Sequence, residues 1–196
     1  MTTTAKKTPT KTVKAKTTKI PVLSKIPFAF EVLDAASKQR TKAKKIEVLK
    51  TYAHDSIMAI LIWNFDESAI SVLPPGEVPY GNTREDNSVT GSLSDKINDA
   101  VGKMSEMGSA SLGSQDQGKA SIRKEYTKFY NFLKGGNDKL SSLRRETMFI
   151  NILEGLHPLE AEILILVKDK KLSDKYKITK EIAGAAYPQI TWGGRS

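Results

Sequence analysis

The chain has 196 residues, 39% apolar and 27% charged, with 31 basic against 22 acidic side chains and no cysteine. This composition suits a globular protein with disordered portions, and the missing cysteine excludes disulfides, a thiolate nucleophile and every cysteine-based zinc or iron–sulfur site. The longest apolar run, Ile57–Trp63, falls far short of the roughly 20 residues a bilayer span needs, and the N-terminal charge has no apolar stretch behind it to read as a secretory signal.

The charge is unevenly spread. Residues 1–25 hold seven lysines and no acid, so residues 26–196 keep 24 basic and 22 acidic side chains and are nearly neutral. Residues 1–19 are almost all Thr, Lys and Ala and cannot bury enough apolar surface to offset backbone ordering. A disordered Lys/Thr-rich tail over residues 1–25 is expected.

Residues 26–80 predict an N-terminal helical lobe. Phe28, Val32, Leu33 and Ala36 share one face of a first helix starting at Pro27 or Phe28. Ile46, Val48, Leu49 and Tyr52 mark a second helix from about Thr41. Asp55 or Ser56 caps a third, running through Ile57, Ile60, Leu61 and Ile62 to Trp63 or Phe65. Three prolines and two glycines between Pro74 and Gly81 then forbid regular structure.

Residues 81–120 are rich in Ser, Gly, Asn and Asp and read as a mobile insertion, with one helix over about Ser94–Met107 weakened by Gly102. Residues 121–188 predict a C-terminal helical lobe. Tyr126, Phe129, Tyr130 and Leu133 form one amphipathic face, stopped by Gly135-Gly136. A helix capped by Asn137, Ser141 or Ser142 turns Leu140, Leu143, Phe149, Ile150 and Leu153 inward and ends at Gly155. Pro158 opens another, whose Ala161, Ile163, Leu164, Leu166 and Val167 mark it as central. A loop over Lys168–Lys177 leads to a short helix capped by Thr179, and residues 189–196 form a flexible end. The fold class is all-α: two short-helix lobes, with a single shared core left open.

Few motifs carry chemistry. Gly113–Lys119 nearly spells a phosphate-cradling loop, but Ala120 stands where a magnesium-binding hydroxyl belongs and no buried strand precedes it. His54 and His157 are the only histidines; both sit at helix starts, where capping or packing is expected rather than catalysis or metal binding. Glu154, Glu160 and Glu162 surround a turn, and the favoured reading of Glu160 and Glu162 is a first-turn match to the helix dipole. No catalytic, cofactor or metal residues are expected, and no enzyme.

Three basic clusters remain as nucleic-acid contacts: Lys6, Lys7, Lys11, Lys14, Lys16 and Lys19 in the tail; Lys38, Arg40, Lys42, Lys44 and Lys45 at a helix junction; and Lys168, Lys170, Lys171, Lys175 and Lys177 near the C-terminus. The last cluster, with its flanking helices, has the outline of a helix-turn-helix. Ile178–Ala186, however, holds no Arg, Asn or Gln to read base edges, so the contact expected is sequence-independent and to phosphates.

Phe28–Leu33, Leu73-Pro74-Pro75-Gly76, Pro79-Tyr80, Phe132–Gly136, Arg144–Ile150, Leu153–Pro158, Glu160-Ala161-Glu162 and Val167–Lys171 occur in this order. In them the chain resembles an uncharacterised family of small proteins from T-even-like tailed phages, notably those of marine bacteria, over roughly residues 27–80 and 121–187. The resemblance implies a viral origin and attaches no activity. The expectation is a non-enzymatic phage accessory protein, in the host cytoplasm during infection, that associates with nucleic acid or a nucleic-acid machine. The alternative is a virion or assembly component that contacts packaged DNA or a phage or host protein, with the Pro-rich segment and Phe28/Phe30 buried by that partner.

Overall fold

A computed structural model describes residues 20–78 and 120–194, and among these the regular structure is helical. The elements are α1 (Ala29–Ser37), α2 (Lys42–Thr51), α3 (Asp55–Phe65), α4 (Ile122–Glu125), a 3₁₀ helix (Tyr126–Phe132), α5 (Ser142–Gly155), α6 (Pro158–Lys168), α7 (Leu172–Tyr176) and α8 (Lys180–Ala186). None of these helices is long and apolar enough to cross a membrane. Residues 1–19, the Ser94–Met107 helix and Gly113–Lys119 lie outside the described residues.

Local chemistry sets most helix starts. Thr41, Ser141 and Thr179 accept the N–H groups of Lys44, Arg144 and Ile182, the hydroxyl caps an N-terminus favours. The start of α3 differs from expectation, because the cap is the His54 imidazole, which accepts from Ser56 N–H. At α1 the Glu31 carboxylate reaches back to the Phe28 N–H at 2.8 Å.

Two expected elements change. The Tyr126–Leu133 segment tightens into a 3₁₀ helix. With three residues per turn instead of 3.6, Phe129 and Phe132 point inward and Tyr130 is left 54% exposed. The Lys168–Lys177 segment is no loop: α6 extends to Lys168, and α7 forms between Lys170 and Lys177, which both take positive φ (57° and 49°).

One core serves both halves of the chain. Buried side chains of α1, α2, α3, α5, α6 and α8 form a single cluster, so the two expected lobes share their interior. Trp63 stands at the junction, stacked on Phe132 at 5.9 Å and flanked by Phe129 and Phe149. The helix α6 is central as its sequence predicts, packing on α1, α3, α5 and α7. Each fully buried Leu, Ile or Phe here contributes about 1.5–3 kcal/mol.

In α5 the expected inward Leu143 is 75% exposed, and Arg145 is buried in its stead. The Arg145 Nε and Nη2 donate to the carbonyls of Asn131 and Asn137 at 2.7 and 2.8 Å. A side chain long enough to bind one carbonyl of the 3₁₀ helix and one of the turn after it thus sets the rotation of the helix.

The last part of the predicted tail is tied down. Ile20 and Leu23 pack against the core, the Leu23 N–H donates to the Tyr52 hydroxyl, and that hydroxyl donates to the Pro21 carbonyl. These two apolar side chains, absent from the Thr/Lys stretch before them, give the backbone something to bury.

Candidate nucleic-acid interface

The second and third basic clusters meet where α2 packs against α8. Lys45 Nζ donates to the Lys177 carbonyl at 2.7 Å, and Lys42 Nζ pairs with Glu181 at 2.5 Å. The pKa of Lys45 is lowered, first by desolvation and then by the Lys177 charge. Lys180 lies 5.6 Å from the Trp192 ring on the same helix start.

The remaining members of these clusters are spread around that corner. Lys38 pairs with Asp34 one turn back at 2.6 Å, and Lys175 pairs with Glu162. The exposed Lys38–Asp34 pair contributes little to stability, while Glu162 is largely covered. Arg40 and Lys171 are exposed and make no ion pair among the described residues. Lys44 is half-buried on α2. The helix-turn-helix outline lacks a reading face, because α8 exposes only Thr179, Lys180, Glu181 and Ala185 and packs on α2.

Two predicted contacts have other work. Lys168 is 4% exposed, and its Nζ donates to the carbonyls of Pro74 (2.8 Å) and Gly76 (3.0 Å) and to Asp169 Oδ1 (2.5 Å). It clasps the proline-rich strap to the end of α6. Lys170 Nζ donates to the Asp66 carbonyl at 2.7 Å. Burial takes the Lys168 ammonium out of any phosphate-facing surface, whereas Lys170 is an exposed residue whose ammonium also meets a carbonyl, as that of Lys45 does. Lys6, Lys7, Lys11, Lys14, Lys16 and Lys19 lie outside the described residues.

The histidines cap and pack. His157 Nδ1 accepts from the Leu159 N–H at 3.2 Å, and its ring stacks on Phe30 at 4.9 Å with Phe28 at 5.7 Å. Phe28 and Phe30, expected to meet a partner, are thus half-buried within the chain. Burial lowers the pKa of both His54 and His157, keeping the capping nitrogen unprotonated. Among the described residues no group of three His, Asp or Glu side chains is placed to hold a metal ion.

Glu160 lies in the first turn of α6 as its sequence reading has it, but it does more than match the dipole. It is fully buried, and it caps other helices: Oε1 accepts from Ala29 N–H of α1 at 3.0 Å and Oε2 from Ile122 N–H of α4 at 2.9 Å. Desolvation raises its pKa, against the lowering effects of these two hydrogen bonds and of Arg123, whose Nε donates to Pro27 O at 2.9 Å.

The sequence reading missed a groove of about 470 Å³ between α3 and the 3₁₀ helix, lined by Trp63, Tyr126, Tyr130, Lys134 and the Gly135-Gly136 turn. Tyr126 and Tyr130, four apart, suggest an α-helical core face; only the tighter coil, which leaves no periodic signature over seven residues, turns Tyr130 outward.

The chain belongs to a family of unknown function (DUF6433), whose model matches residues 32–99 and 108–174. No curated protein and no solved structure matches it.

Proposed function

We propose that this member of a family of unknown function is a non-enzymatic phage accessory protein that associates with nucleic acid through sequence-independent phosphate contacts. The observation that carries the reading is the partition of charge: seven lysines and no acid in 25 residues, on a remainder with 24 basic and 22 acidic groups. The tail supplies long-range attraction. The Lys42, Lys45 and Lys177 corner, where two basic clusters adjoin, supplies a second contact on the folded part. The scarcity of base-reading side chains on α8 favours contact to phosphate over sequence readout.

Binding of this kind releases counterions, so the logarithm of affinity falls with the logarithm of salt by about 0.9 per duplex phosphate neutralised. Fluorescence anisotropy of labelled duplex and single-stranded DNA at two salt concentrations tests it. The full chain should show a steep slope, and a chain lacking residues 1–19 should lose affinity and several units of slope. Absence of binding at low salt, or equal binding after the deletion, refutes the proposal.

A further inference from the structure

The groove between α3 and the 3₁₀ helix combines features that the phosphate-binding tail and corner lack. Its walls are aromatic and small: Tyr126 and Tyr130 beside Trp63, closed by Gly135-Gly136. Its volume of about 470 Å³ is that of a small-molecule site, in the range of about 300–1,000 Å³. Lys134 is the one charged residue lining it; no carboxylate does, and Lys134 makes no ion pair among the described residues. Trp63 is 1% exposed, and its indole N–H is buried without an acceptor.

The walls are also held in place. The Lys134 N–H donates to Ile70 O at 2.9 Å and the Val72 N–H to Phe132 O at 3.0 Å, pinning the turn to the strap. Gly136 closes it against Tyr130, so tightly that a Cβ there would lie 1.9 Å from the Tyr130 carbonyl oxygen. The main chain that carries Tyr130 and Lys134 is therefore fixed before any ligand arrives, as a site on a rigid support requires, while both side chains face solvent.

We infer that this groove takes one unpaired base of a single-stranded nucleic acid, stacked on the Tyr130 ring, with the adjoining phosphate on Lys134. An aromatic face accepts any base, and a nearby cation tracks the backbone; this is the logic of single-strand binding surfaces. A nucleotide joins a flat ring to an anion at short range, as Tyr130 and Lys134 join an aromatic face to a cation. Duplex bases are stacked and closed to such a groove. The inference rests on the nucleic-acid reading above and adds to it a preference for single strands.

The test uses the full chain carrying Trp192→Phe, which leaves Trp63 as the single tryptophan. Oligothymidylate and a duplex of equal charge are titrated while Trp63 fluorescence and anisotropy are read. Oligothymidylate should quench Trp63 and the duplex should not. Because Tyr130 and Lys134 are exposed, Tyr130→Ala and Lys134→Ala should keep the wild-type circular dichroism. Tyr130→Ala should weaken oligothymidylate binding by about 5- to 100-fold while changing duplex binding less than about twofold. Lys134→Ala should lower the single-strand salt slope by about 0.7. Unchanged single-strand affinity in both folded variants overturns the groove site and leaves the tail-based reading standing. Failure of the parent protein to bind either DNA at low salt overturns that reading, and the groove site with it. Stronger quenching by an acidic aromatic peptide than by oligothymidylate overturns the assignment of the occupant.

Discussion

Replacing Glu160 tests how the two halves of the chain are fastened. Its two carboxylate oxygens are the acceptors for Ala29 N–H and Ile122 N–H, both buried. Glu160→Ala strands both donors, each at about 1–3 kcal/mol, whereas Glu160→Gln retains one acceptor and turns an amide N–H toward the other donor. Part of that loss is returned, because the raised pKa means the charged carboxylate costs more in its buried site than its partners give back. The net expectation is about 2–4 kcal/mol for the alanine variant and about half that for glutamine. At about 2–4 °C per kcal/mol, alanine should melt roughly 4–16 °C lower.

The sign of the pH dependence follows from the direction of the shift. A carboxyl with a folded pKa above the ordinary glutamate value of 4.5 contributes stability that is fully present below that value and is lost as pH rises through the folded pKa. The variants lack this titration, so the gap between parent and variant should be widest near pH 4 and shrink toward pH 8. Urea melts at a series of pH values measure it. Variants as stable as the parent, or a gap that grows with pH, would refute the proposed role of Glu160.

Lys168→Met should cost about 3–5 kcal/mol, since it leaves Asp169 and two strap carbonyls without their buried cation. DNA affinity should stay within about twofold, which separates this lysine from Lys45 and Lys177; urea melts and anisotropy check the two halves of that statement. Gly136→Ala puts a Cβ 1.9 Å from a backbone oxygen, where only main-chain movement gives relief, and a loss of about 1–3 kcal/mol or more is expected in the same melts.

What the sequence disclosed was local. Thr41, Ser141, Pro158 and Thr179 announce their helix starts because a cap needs only the next three residues. Fold class and the central place of α6 follow from apolar spacing for the same reason. The failures are of two kinds: local geometry, in the 3₁₀ helix, α7 and the His54 cap, and contacts across the chain. Glu160 meets partners 131 and 38 residues away, and Lys168 meets carbonyls 94 and 92 residues away. Nothing near either residue separates a buried clasp from a solvated charge. Leu143 and Arg145 exchange expected places because hydropathy ranks them without knowing that two carbonyls await a guanidinium. Of the interface, residue types were readable and adjacency was not: only the packing of α2 on α8 brings Lys45 to Lys177.

Glu160 and Lys168 stand eight residues apart on one helix, about 12 Å along its axis. The first grips the backbone at Ile122 and the second grips it at Pro74 and Gly76. Like two moorings on a single quay, they secure the segment that ends at residue 78 and the one that begins at residue 120. One helix is thereby the shared anchor of two chain segments, and fraying of α6 would release both together.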